Sequence, residues 1–128
     1  MKRTAALSLT LAVAAASVFA RGDKEPFQKV VERMDLDRFL GSWYVVALLP
    51  TPFEKNAVNG IETYTLDEKG SIRVEYVFRE GRPDGKKKVM HQKGWIMDRA
   101  TNTEWKIQPL WPLRLPYLIL DLAEDYRY

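Results

Sequence analysis

The chain has 128 residues, 46% of them hydrophobic and 29% charged, with one histidine and no cysteine. Disulfides, and metal sites built on several Cys or His ligands, are thereby excluded within one chain. The 20 Lys and Arg against 17 Asp and Glu leave a net charge of only +3, too little to mark nucleic acid as a partner.

Lys2 and Arg3 precede an Ala-rich apolar stretch, Ala5 to Ala16, which ends in Ser17-Val-Phe-Ala20. Val18 and Ala20 stand at the minus-three and minus-one positions, so residues 1–20 read as a signal helix cleaved after Ala20. Cleavage removes two basic groups and brings the net charge near +1. The remaining 108 residues make one domain, which buries roughly 65% of its unfolded surface. No cysteine follows the signal to carry a lipid anchor, so a periplasmic or secreted location is expected.

Residues 21–34 are a polar lead-in, with Pro26 and a helical turn through Phe27, Val30 and Val31, expected to pack on the outside. The domain proper runs over residues 35–128. Asp35 to Leu40 reads as a 3₁₀ turn capped by its aspartate. The first strand is expected from Ser42 to Leu49, ending at Pro50-Thr-Pro52, because proline cannot continue a ladder.

The clearest period-two signal follows. Ile72, Val74, Tyr76 and Phe78 alternate with Arg73, Glu75 and Arg79, Val77 being the exception. Gly60 to Leu66 is the partner strand, joined through the turn Asp67-Glu-Lys-Gly70. Turn residues at 80–85 lead into a strand over 87–98. Residues 99–102 then close a hairpin onto Glu104 to Gln108. After a proline-punctuated loop, 109–116, the run Tyr117 to Leu122 is a sixth strand. Six antiparallel strands on short connections argue for an all-β up-and-down meander.

The Gly41-Ser-Trp43-Tyr44 stretch resembles the Gly-x-Trp-Tyr signature of the bacterial lipocalins. The resemblance extends over residues 35–128. It includes Asn59 to Leu66, Lys93-Gly94-Trp95, Trp105 to Ile107, Trp111-Pro112 and Pro116-Tyr117. Asp125 and Tyr126 stand where the family's second signature, Thr-Asp-Tyr, falls, with Glu124 in place of its threonine. The resemblance implies a lipocalin-like β-barrel of eight strands, of which this chain supplies about six. The family's third signature, an arginine packing over the tryptophan that matches Trp43, would lie beyond Tyr128. A truncated gene product or fragment, a partly open sheet and a barrel completed by a second chain all fit. Open sheet edges are also where a homodimer would pair.

Period two turns Ile72, Val74, Tyr76 and Phe78 towards the interior. The family register implies that Tyr64 and Leu66 face the same way, turning Glu62 inward near a solvated strand end. Trp105, Ile107, Leu118 and Leu120 complete an apolar, aromatic lining. For the strand over 87–98, two inward sets remain open: Met90, Gln92, Gly94 and Ile96, or Val89, His91, Lys93 and Trp95. Whether the lining encloses a cavity or fills it is also open. Phe53, Leu110, Trp111, Leu113 and Leu115 share one rim with Arg79, Arg82, Arg114 and Lys86 to Lys88, a combination suited to an amphiphile with an anionic head.

No hydrolase or zincin motif occurs, and His91 reads as an ordinary surface residue, so no enzyme and no cofactor are expected. The resemblance implies a carrier of a small hydrophobic or amphipathic ligand, a fatty acid or lysophospholipid, in the cell envelope. The competing readings are a membrane-surface or protein-docking module without an internal ligand, or a non-functional truncated lipocalin.

Overall fold

The computed structural model describes residues 30–49, 51–52 and 54–128. The signal segment expected over residues 1–20, most of the lead-in and Phe53 lie outside the described residues. One helical turn, α1 (Leu36–Phe39), precedes six strands: β1 (Gly41–Val45), β2 (Ala57–Leu66), β3 (Ile72–Glu80), β4 (Lys87–Ile96), β5 (Glu104–Gln108) and β6 (Leu115–Leu118). They form one antiparallel sheet in the order β1-β2-β3-β4-β5-β6. The expected all-β meander is therefore the architecture, with β1 and β6 as its free edges.

The sheet is strongly curled. The hydroxyls of Tyr64 on β2 and Tyr117 on β6 lie 2.8 Å apart, and a flat sheet would hold strands four places apart at nearly 20 Å. The result is an incomplete barrel.

Local chemistry explains the entry. The Asp35 carboxylate accepts from the Arg38 amide at 3.3 Å and caps α1. The turn is α-helical rather than the expected 3₁₀, because the Phe39 and Leu40 amides donate to carbonyls four residues back. Gly41 then adopts φ +117°, a region that a Cβ disfavours, and swings the chain into β1.

β1 stops at Val45, short of the expected Leu49. The cause lies on its partner. A register shift between Val58 and Ile61 bends β2, so its pairing with β1 ends at Gly60 while pairing with β3 resumes at Val58. Residues 46–49 are left without a ladder, and Val46 and Leu49 are exposed.

The core centres on Phe39, Tyr64, Ile72, Val74, Ile96, Trp105 and Ile107. Met34 belongs to it as well, at 1% exposure. Among the described residues of the lead-in, Glu32 and Arg33 stay exposed and Met34 is the one that is buried. The segment is held by the Met34 amide donating to the Thr101 carbonyl, and by the Val31 amide donating to that of Ile119.

Candidate functional site

Cross-strand partners in an antiparallel ladder share a face. Glu62 pairs with Tyr76 and Tyr76 with Met90; Tyr64 pairs with Val74 and Val74 with Gln92. Ile72 pairs with Gly94, Gly94 with Ile107, and Ile96 with Trp105. The inward set on β4 is therefore Met90, Gln92, Gly94 and Ile96. Val89, His91, Lys93 and Trp95 face outward.

Of the expected lining, Tyr64, Val74, Tyr76, Phe78, Trp105 and Ile107 are all buried. Leu66 shares the row of Ile72 but sits at the hairpin end, 40% exposed. Leu118 and Leu120 are a correction. Trp105 pairs with Tyr117, Ile107 with Leu115, and the outward Glu104 with Leu118. Leu115, Tyr117 and the buried Ile119 therefore hold the inner positions, and Leu120 is 42% exposed. The physical reason is a one-residue difference in register: β6 starts at Leu115, before Pro116, and sets Tyr117 rather than Leu118 opposite Trp105, and a shift by one reverses every side chain. Pro116 tolerates the strand because β6 is an edge. An alternation of Leu115, Tyr117 and Ile119 was available in the sequence, hidden by the proline between its first two members.

The inner face divides into two halves. At one end it is filled with aromatic side chains. Phe39 lies 5.1 Å from Tyr64 and 5.5 Å from Trp105, centroid to centroid, and Trp105 stacks on Tyr117 at 5.6 Å. Towards the other end, Tyr76 stacks on Phe78 at 4.9 Å. There a groove of about 950 Å³ opens between the segment after β1 and the start of β2, bordered by Val45, Leu48, Glu54, Val58, Ile61 and Tyr76. A second space of about 370 Å³ lies between the edges β1 and β6, bordered by Trp43, Glu62, Tyr64, Tyr117 and Ile119. Tyr44 and Val45 border both.

Tyr76 approaches the backbone closely. A Cβ at Gly60 would meet its ring and hydroxyl at 2.6 Å, so only glycine fits there. The Tyr76 side chain is 2% exposed, and its hydroxyl has no hydrogen-bond partner among the described residues. Burial pushes its pKa upward, with Glu54 and Glu62 adding to the shift.

Glu62 was expected near a solvated strand end. It is instead mid-strand and half-buried, accepting from the Tyr64 hydroxyl at 2.5 Å. Burial raises the Glu62 pKa above the ordinary carboxylate value, the Tyr64 hydrogen bond opposes this, and Glu54 adds to it. Tyr64 and Tyr117 are likewise pushed above the phenol range, chiefly by burial. The three groups form a connected chain: carboxylate, phenol, phenol.

The signature residues have structural partners. The Trp43 indole donates to the Phe39 carbonyl at 2.8 Å. The Tyr126 hydroxyl accepts from the Asp35 amide at 2.8 Å, and the Arg38 guanidinium lies 4.1 Å above its ring. Tyr44 is exposed, and Asp125 pairs with Arg127 at 3.0 Å.

The basic rim is partly answered. Arg82 pairs with Asp84 at 2.9 Å and Lys88 with Glu80 at 3.7 Å. Arg114 is not at the rim in effect: its guanidinium lies 4.1 Å over outward-facing Trp95. Leu110, Leu113 and Trp111 are exposed, the last to 81%. His91 is on the outer face, 3.9 Å from Glu75. Among the described residues no group of three or more His, Cys, Asp or Glu is disposed to hold a metal ion.

A family model described as a lipocalin-like domain matches residues 34–128. The chain is 28% identical over 109 residues to temperature-induced lipocalin-1 of Arabidopsis thaliana, covering 78% of this chain and 57% of that protein. It is 35% identical over 106 residues to apolipoprotein D of Mus musculus, covering 80% and 52%. To the outer membrane lipoprotein Blc of Escherichia coli it is 27% identical over 100 residues, covering 77% and 55%. The chain thus spans about half the length of these relatives.

Proposed function

The chain belongs to the lipocalin family, and on that premise we propose that it binds a small hydrophobic or amphipathic molecule against the inner face of its sheet. A fatty acid or lysophospholipid is the first candidate. The observation that carries the reading is Tyr76: a buried phenol on the inner face, its hydroxyl without a partner among the described residues, at the wall of a groove of about 950 Å³. That volume falls in the range of small-molecule sites. Transfer of an acyl chain from water supplies the driving force. About ten methylenes at roughly 0.8 kcal/mol each give the gross gain, reduced by the cost of immobilising the chain.

The export signal read from residues 1–20, together with the relative named as an outer membrane lipoprotein, supports a role in the cell envelope.

The test uses delipidated protein and titration of tryptophan fluorescence with palmitate or palmitoyl-lysophosphatidylcholine. Stoichiometric quenching that survives Trp111→Ser but is lost in Tyr76→Lys supports the internal site. A second reading has its own observation, the exposed trio Leu110, Trp111 and Leu113, which suits a membrane surface. Vesicle binding that is lost in Trp111→Ser and kept in Tyr76→Lys favours that reading instead.

A further inference from the structure

The outward face of the sheet carries a pattern of its own, independent of the inner-face site. On β3 and β4, Arg73 stands directly opposite Lys93 and Arg79 directly opposite Lys87. All four are exposed, and among the described residues none of them forms an ion pair. Like charges directly opposite one another destabilise a ladder, and this hairpin carries the arrangement twice. Glu75, the one carboxylate at the outward positions of β3 and β4, faces His91 at 3.9 Å. The Asp67 carboxylate, at the hairpin end, is already held by the Ser71 and Lys69 amides. On the next strand Lys106 pairs with Trp95, diagonal to Lys93. The Arg114 guanidinium lies 4.1 Å over the Trp95 ring, and the Lys93 ammonium 5.5 Å from it. Arg73, Lys93, Lys106 and Arg114 thus make one cationic patch around an indole, with Arg79 and Lys87 about 20 Å further along the strands.

We propose that this outer wall binds a linear acidic polysaccharide, whose uronate carboxylates are taken by the paired cations. Charge complementarity calls for an anion with several charges, and the rest of the wall suits a sugar chain. Thr63, Thr65 and Gln108 share the outward rows of Glu75, Arg73 and Lys93 and offer hydrogen bonds to hydroxyls. Val77 and Val89, opposite each other between the two cation pairs, give an apolar strip for the face of a pyranose ring. Other polyanions fit less well. An acidic peptide gains most by adding to a sheet edge, and β3 and β4 are interior strands. Single-stranded nucleic acid stacks on a series of aromatic side chains. Trp95 is the one Phe, Tyr or Trp at the outward positions of β3, β4 and β5, and Arg114 covers one side of its ring. The wall is the convex side of a curled sheet, so a flat bilayer meets only part of it, whereas a flexible chain follows the curve.

Isothermal titration of the full-length protein compares alginate oligosaccharide, polyglutamate, oligothymidylate and phosphatidylglycerol vesicles. The oligouronate is expected to bind about tenfold more tightly than any of the other three, and to weaken as salt is raised. Arg73→Gln with Lys93→Gln should reduce its affinity by about tenfold. Arg33→Gln with Lys55→Gln removes the same charge from exposed positions outside the wall and should change it by about twofold or less. The Arg73/Lys93 double variant should melt no lower than the wild type, because a repulsive pair has been removed; loss of binding then has no origin in unfolding. Four results overturn the proposal: no binding of the oligouronate, equal or tighter binding of polyglutamate, oligothymidylate or the vesicles, equal losses in the two double variants, which mark a general charge effect, or a lowered melting point in the Arg73/Lys93 variant, which makes the pair a structural asset. Palmitate binding to the inner face is expected to be the same in all these proteins.

Discussion

The phenol of Tyr64 on β2 lies 2.8 Å from the phenol of Tyr117 on β6, although three strands separate them in the sheet. Curling of the sheet brings both under desolvation and delivers Glu62 to the same cluster. The polar part of the candidate site is thus a product of curvature, and its energetics follow from burial.

Glu62 has a pKa raised in the folded protein, so the folded state holds its proton more tightly than the unfolded chain does. The resulting stabilisation is fully present below the ordinary carboxylate value and is lost as pH rises through the folded-state pKa. Glu62→Gln is therefore expected to melt a few degrees above the wild type at pH 7–8. Thermal melts taken down to pH 4 should show the gap closing; a gap independent of pH contradicts the assignment.

Gly60 is required by the Tyr76 ring. Gly60→Ala should cost about 1–3 kcal/mol through overpacking and should weaken ligand binding, since Tyr76 must move. In a Tyr76→Val background the same substitution is expected to cost far less. Urea denaturation of the four proteins in the cycle gives the coupling energy directly.

The two tryptophans Trp105 and Trp111 occupy opposite environments. Trp105 is buried, stacked on Tyr117, and donates to the Asn102 carbonyl at 2.7 Å. Trp105→Ala should lose about 3–5 kcal/mol, enough to unfold a domain of marginal stability. Trp111→Ala should stay within about 0.5 kcal/mol of the wild type. Comparable losses at both positions would contradict the structure.

The register of the sixth strand predicts another contrast. Ile119 is buried and Leu120 is not. Ile119→Ser is expected to cost about 2–4 kcal/mol, whereas Leu120→Ser costs about 0.5 kcal/mol or less. The reverse order, measured by denaturant midpoint, would restore Leu118 and Leu120 as the lining pair.

Much of this was readable before any coordinates, wherever one local rule acted alone. The alternation from Ile72 to Phe78 named the inner face of β3 because charged residues on the other face left one economical choice. The turns at 67–70 and 99–102 set hairpin connectivity by their own backbone chemistry. Errors arose where two rules competed. Pro116 argued against a strand that an edge position permits, which misplaced Leu118 and Leu120. Met34 sat in a polar segment, and only its contacts with the distant core residues buried it.

Chain order, strand number and the apolar composition of the lining were determined by the sequence by itself, since period two and turn chemistry are short-range properties. The division of that lining into a packed half and an open half, the bend of β2 at Gly60 and the company of Glu62 belonged to the tertiary structure alone. Each depends on how far the sheet curls, and curl is the sum of small twists along six strands that no local window of residues contains.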